Sequence, residues 1–238
     1  MNRPRTLYQK HIDSHTVATL DDQGHVLLYI DRQVANEYTS PQAFSGLREA
    51  KRGVWRSRAT LAVVDHVNPT SPNRIAAMPD ADGALQVSYF EENCRDFGIE
   101  LFDVLDKRQG IEHVVAPEQG FILPGMVVAA GDSHTTTNGA LGAFGFGTSE
   151  IEHLLATQTL VYKCLKTMRV TVTGTLGTSV TSKDIIMALI ERIGASGATG
   201  YAIEFVGPVI SALSVEARMT MCNMAVEAGA RGGLHGAR

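Results

Sequence analysis

The sequence predicts an α/β protein: a three-layer α/β/α domain with a mainly parallel sheet over residues 1–166, and a smaller, incomplete second α/β domain over 167–238. Three observations carry this expectation. Between about residues 26 and 165, short apolar runs alternate with helical segments, the pattern of a parallel sheet covered by helices. After Lys166 the texture changes to an alternating apolar–polar strand, a loop, a helix and a glycine-rich connection. The length of 238 residues, with 44% hydrophobic and 19% charged residues, suits one large globular domain or two smaller ones.

Taken in order, residues 6–13 read as a short helix and 26–30, Val-Leu-Leu-Tyr-Ile, as a strand by β-branched and aromatic content. Ser40 and Pro41 open a helix as N-cap and first helical residue. A second strand, 59–64, ends at Asp65-His66. Residues 85–97 form an amphipathic helix and 100–104 a third strand; His113 stands beside the apolar run ending at Val115, and 117–120 turn. Residues 126–130 read as a buried strand that stops at Gly131. Glycines 139, 142, 145 and 147 follow, where backbone can approach a ligand or a strand closely. Thr148-Ser149-Glu150 starts a helix running through Leu160, with Glu150 and Glu152 near the positive end of its dipole. In the second part, 168–173 and 201–207 are strands, 184–193 is a helix, and Ser214 caps a helix over 215–228. His235 belongs to a loose tail.

Composition narrows the function classes. Net charge is −4 and no basic patch accompanies aromatic residues, which argues against nucleic acid. Cys94, Cys164 and Cys222 lie far apart without a C-x-x-C pair, as buried thiols in a reducing compartment would. There is no apolar signal region and no apolar run of the roughly 20 residues a membrane helix needs, so a soluble, cytoplasmic chain without membrane contact is expected. The glycine spacing is neither the dinucleotide fingerprint nor a P-loop.

Three segments bring ionisable groups to expected strand ends: Asp65-His66, His113, and Asp132-Ser133-His134. If these ends share one sheet edge, an Asp beside a His fixes the imidazole tautomer and raises its pKa, which suits a general acid. Glu204, a carboxylate within an apolar run, needs a partner if buried. The plain alternative is a set of hydrogen-bonded sheet-edge residues, and His113 by itself reads more readily as structural. Two chemistries stay open: acid/base addition or elimination of water, and hydrolysis at a metal held by Asp and His.

Ordered stretches then carry a resemblance. They include Thr39-Ser40-Pro41-Gln42-Ala43-Phe44, Gly110-Ile111-Glu112-His113, Pro117-Glu118-Gln119-Gly120, Gly131-Asp132-Ser133-His134-Thr135, Gly147-Thr148-Ser149-Glu150 and Met221-Cys222-Asn223-Met224-Ala225. Over about residues 6–230 the chain resembles the large subunits of the two-subunit, isopropylmalate-dehydratase branch of the aconitase family. The resemblance implies an aconitase-like fold and a hydro-lyase that isomerises a small hydroxy di- or tricarboxylic acid by dehydration and rehydration. It implies a 4Fe–4S cluster with one open iron, and a small subunit as partner. By motif it implies catalytic roles for Asp65, His66, Asp132, His134 and Glu204, with His66 protonating the departing hydroxide, and substrate contacts for Gln42, His113 and Ser133. The family's cluster cysteines belong to a third domain and are not matched by Cys94, Cys164 or Cys222, so this sequence reads as a truncated or divergent large subunit without cluster ligands of its own. The segment 139–147 is about two residues shorter than the family's, and 234–238 leave its pattern. An inactive homologue that acts by binding or assembly is the competing expectation within the family.

Overall fold

The computed structural model describes residues 4–70 and 80–235; the departure from the family pattern at 236–238 lies outside them. The chain begins with helix α1 (Leu7–His15), closed by a capping box between Thr6 and Gln9. Strands β1 (Thr16–Thr19), β2 (His25–Tyr29) and β3 (Arg32–Asn36) follow. Helix α2 (Pro41–Glu49) starts at Pro41 as expected, but the Ser40 hydroxyl donates to the Asn36 carbonyl at 2.6 Å instead of capping it. Then come β4 (Thr60–Val63), α3 (Ala81–Phe97), capped by Asp80 and closed by Gly98 at φ +65°, and β5 (Glu100–Phe102).

Two expectations change here. His113 is not at a strand end: it sits in the first turn of helix α4 (Glu112–Glu118). The Asp65 carboxylate accepts the Glu112 N–H at 2.7 Å, so a side chain 47 residues away satisfies the helix start and overrides the β-branched pair Val114-Val115. The helix expected to reach Leu160 stops earlier. After β6 (Val127–Ala130), a 3-10 helix (Ser133–Leu141) and β7 (Phe144–Gly147), helix α5 covers only Ile151–Thr157. Gln158 turns left-handed at φ +59°, and Thr159–Lys163 form β8, using the strand preference of Val161 and Tyr162. Cys164 thus follows a strand, not a helix.

The remaining elements are β9 (Lys166–Thr171), α6 (Ser182–Ile193), β10 (Tyr201–Val206), α7 (Pro208–Ala212), α8 (Val215–Asn223), a 3-10 turn (Met224–Ala228) and β11 (Gly232–His235). The long helix expected over 215–228 therefore relaxes into 3-10 geometry after Asn223. His235 is no loose tail. It is buried in β11, which pairs in parallel with β10.

Five parallel strands form the central sheet in the order β5-β4-β3-β6-β7. The chain winds outward from β3 to β5, then returns to the far side of β3 at β6. The direction of winding reverses between β3 and β6, and in open α/β sheets ligands bind at the carboxyl ends of strands beside such a reversal. One face packs Phe44 of α2, Phe90 of α3 and Leu155 of α5 on Ala35, Ala62 and Val64. The other packs Val115 and Ala116 of α4 on Val34, Leu61, Val63 and Val128. Three layers result. A separate antiparallel sheet, β1-β2-β8, contributes Leu28, Leu160 and Tyr162 to a core shared with α1. The third sheet, β11-β10-β9, is parallel and is covered by Ile186 of α6 and by Met221 and Cys222 of α8. It meets the 3-10 helix over 133–141, where a Cβ on Gly139 would collide with the Gly233 carbonyl. Only glycine allows that approach. Among the described residues no helix is long and apolar enough to cross a membrane.

Candidate active site

Asp65 and His66 follow β4, Asp132 follows β6, and α4 delivers Glu112 and His113 beneath them. Asp132 is the hub. Its Oδ2 lies 3.1 Å from His66 Nε2, and its Oδ1 lies 3.2 Å from His113 Nε2 and 3.4 Å from His134 Nδ1. Oδ1 also accepts the His134 N–H at 2.6 Å, which starts the 3-10 helix. His66 Nδ1 faces Asp65 Oδ1 on the other side. A ring between two carboxylates, neither of which offers a proton, satisfies both only as imidazolium. The Asp132 and Asp65 bonds accordingly push His66 up to about 10. Bonds from His113 and His66 hold Asp132 well below the usual carboxylate range. Burial pushes His113 down, but the Asp132 bond and the charges of Glu112, Asp132 and Asp65 outweigh it and leave the ring above its ordinary value.

Asp65, His66, Ile111, His113, Asp132, His134 and Asn223 line a cleft of about 440 Å³. Five of the eight expected site residues therefore come together. Three do not. Glu204 is turned to the start of α1, where its Oε1 accepts the Tyr8 N–H at 2.8 Å. Gln42 lines a neighbouring hollow with Thr39, Gly131, Thr148 and Glu152. Ser133 holds its hydroxyl 3.5 Å from His134 Nδ1 but opens onto a different hollow, with Thr199 and Arg231.

The site also contains groups that sequence reasoning passes over. His134 Nε2 lies 3.2 Å from Glu227, and Asn223 accepts the Thr137 hydroxyl at 3.0 Å. Glu112 is fully buried; Asn36 donates to its Oε2 at 3.2 Å, and its Oε1 stands 3.7 Å from His113 Nε2. Glu112, like Glu204, is a carboxylate beside apolar residues in the sequence, the signal that marks it. Burial pushes Glu112 up to about 7 from 4.5. The folded chain then binds more protons than the unfolded chain between those values, so stability falls as pH rises across the window, by about 3 kcal/mol. Glu112→Gln removes this term. Urea unfolding from pH 4.5 to 8 should show the variant gaining on the parent as pH rises; a difference that stays constant with pH would rule the effect out.

Two donor groupings, Glu37–Asp65–His66 and Glu112–His113–Asp132, are close enough to hold a cation. Most of their ligand atoms already bond one another or backbone amides, so we assign no metal to them. Cysteine ligands for a cluster do not fit either. Cys94 lies in the core under α2 and α3, Cys222 in the core under the third sheet, and Cys164 against the core shared with α1. Burial raises all three thiols, Cys94 to about 12, which opposes the thiolate a cluster needs.

The chain is 71% identical over 230 residues to 3-isopropylmalate dehydratase large subunit 1 of Mannheimia succiniciproducens, covering 96% of this chain and 48% of that protein. It is 68% identical over 232 residues to the large subunit 2 proteins of that name from Salmonella choleraesuis and Salmonella typhimurium, covering 97% of this chain and 49% of each. It thus spans about half the length of the curated relatives it matches. A profile of the Aconitase family (aconitate hydratase) matches residues 8–237, nearly the whole sequence including every element of the cleft, and the chain belongs to that family.

Proposed function

We propose that this chain supplies the acid/base groups of a hydro-lyase site of the 3-isopropylmalate dehydratase type. Such a site moves a hydroxyl between adjacent carbons of a small hydroxy di- or tricarboxylic acid by removing and re-adding water. The observation that carries the reading is the His66 ring, bridged between the Asp65 and Asp132 carboxylates in the cleft, an arrangement that favours its protonated form. A proton held there can pass to a departing hydroxide, a far stronger base, and return when water adds back. Asp65 and Asp132 keep the ring oriented and charged. His134 and His113 flank the same carboxylate and present further donors to the substrate. Gln42, Ser133 and Glu204 retain the roles their motif positions suggest only if the hollows at Gly131 and the start of α1 rearrange around bound substrate.

The names of the relatives support a 4Fe–4S cluster and a small subunit in the assembled enzyme. The cysteines of this chain do not fit that cluster, so we derive no step through it. We place a domain boundary near residue 166, because β9, β10 and β11 all lie beyond Leu165, and a cytoplasmic location, as befits a biosynthetic enzyme. The test is anaerobic assembly of this sequence, within a complete large subunit, with a small subunit. Absorbance of the unsaturated intermediate should appear with isopropylmalate or a related hydroxy acid. A fully loaded complex that is silent with every such acid would overturn the proposal.

A further inference from the structure

Glu37 is the first residue after β3 and is fully buried. The parallel ladder between β3 and β4 ends at Asn36 and Val63. Val64 N–H then goes to the Phe102 carbonyl at 3.1 Å. The next three amides converge on one carboxylate: Glu37 accepts the N–H of Asp65 at 3.2 Å, of His66 at 2.7 Å and of Val67 at 2.6 Å. Consecutive amides meet one anion only where the backbone curls round it. That curl sends the Asp65 and His66 side chains into the cleft. The following residue, Tyr38, lies with its ring parallel to His66, 6.0 Å between centroids and 2° between planes, an offset stack on a cationic partner. Asn36 fixes the segment from the other side. Its Oδ1 accepts the N–H of Tyr38 at 3.1 Å and of Thr39 at 2.9 Å.

We propose that Glu37 and Tyr38 are positioning residues for the His66 acid: Glu37 sets the backbone of 65–67 so that His66 bridges Asp65 and Asp132, and Tyr38 covers one face of the ring. The inference rests on the hydro-lyase reading for its meaning in turnover, but its test does not use turnover. Histidine and amide signals of the 238-residue chain are followed by NMR. The groups facing His66 are Glu37, Asp65, Asp132, Glu112 and the Tyr38 ring, so the titration reads Glu37 both as a charge and as a backbone anchor, and the amide exchange reads the anchor alone.

Glu37→Gln keeps the size but turns an NH2 group against N–H donors. The His66 midpoint should fall by about one pH unit or more, and exchange of the His66 and Val67 amides should quicken about tenfold. His15, paired with Asp31 in another part of the fold, should not move, and reports that the variant is folded. Tyr38→Leu, at an exposed position, should lower the midpoint by about half a unit, and Tyr38→Phe should restore it. A folded Glu37→Gln chain with unchanged His66 titration and exchange overturns the role of Glu37. Should that variant not fold, Glu37→Asp is read by the same criteria. An unmoved midpoint in Tyr38→Leu overturns the role of Tyr38. None of these outcomes depends on catalysis, so a silent assembled enzyme would defeat the hydro-lyase reading without touching this one.

Discussion

Supplied anaerobically with iron and sulfide, the 238-residue chain should retain no stoichiometric 4Fe–4S cluster, and by itself should turn over none of the hydroxy acids offered to it. Such a cluster with one open iron takes three thiolates converging on one point. Cys94, Cys164 and Cys222 sit in or against three different cores, and burial disfavours the thiolate of each. Bringing them together would mean opening all three cores. Iron and sulfide analysis after desalting, with an absorbance assay for the unsaturated product, checks both halves. Cluster near one per chain accompanied by turnover would show that the cores rearrange to bring the three thiols together.

Asp132→Asn should lower turnover of the assembled enzyme by about 10²–10⁴-fold, the range for loss of a positioned proton-transfer system. The amide is the same size, so the 3-10 helix over 133–141 keeps a carbonyl oxygen for the His134 N–H. It carries no charge to balance the His66 imidazolium. The amide NH2 takes the place of Oδ2 against His66, which keeps only Asp65, and buried His113 keeps the same oxygen without its negative charge. A stability signature should accompany the kinetic one. His66 holds its proton to about pH 10 in the folded chain, against 6.5 for an ordinary histidine. Its ion pairs therefore contribute fully below about pH 6.5 and fade as pH climbs through 10. The deficit of Asp132→Asn should shrink across the same interval. Thermal unfolding between pH 6 and 10, alongside turnover, measures both, and turnover close to that of the parent enzyme would remove Asp132 from the mechanism.

The α/β class is legible because β4 and β6 are short apolar runs that end abruptly in polar residues. The same feature exposes Asp65-His66 and Asp132-Ser133-His134. The middle strand of the sheet is not legible. β3 reads Arg-Gln-Val-Ala-Asn, yet it lies between β4 and β6 with Gln33 and Asn36 buried. With β3 hidden, Glu37 at its end is hidden too. His113 is misplaced by sequence because what sets its helix is a carboxylate distant in the chain. Glu204 illustrates the converse: a carboxylate in an apolar run does need a partner, but sequence cannot say that the partner is the Tyr8 amide instead of the cleft. β11, with two glycines in four residues, has no strand signature and exists because β10 and the 3-10 helix over 133–141 leave room for bare backbone.

Helix α1 has a consequence for how the chain is made. Its contacts reach far along the sequence: Tyr8 N–H to Glu204, the Leu165 amide to the Tyr8 hydroxyl at 2.7 Å, and His11 Nε2 to the Gly142 carbonyl at 3.0 Å. The first of these closes a separation of 196 residues. During synthesis at about 5–20 residues per second, α1 leaves the ribosome well before β10, and the Tyr8–Glu204 contact waits for the residues between them. The helix is too short, at nine residues, to persist alone in water. Closure of so distant a contact is slow and follows most of the sheet. Helix α1 thus locks onto β10 only once β10 is in place.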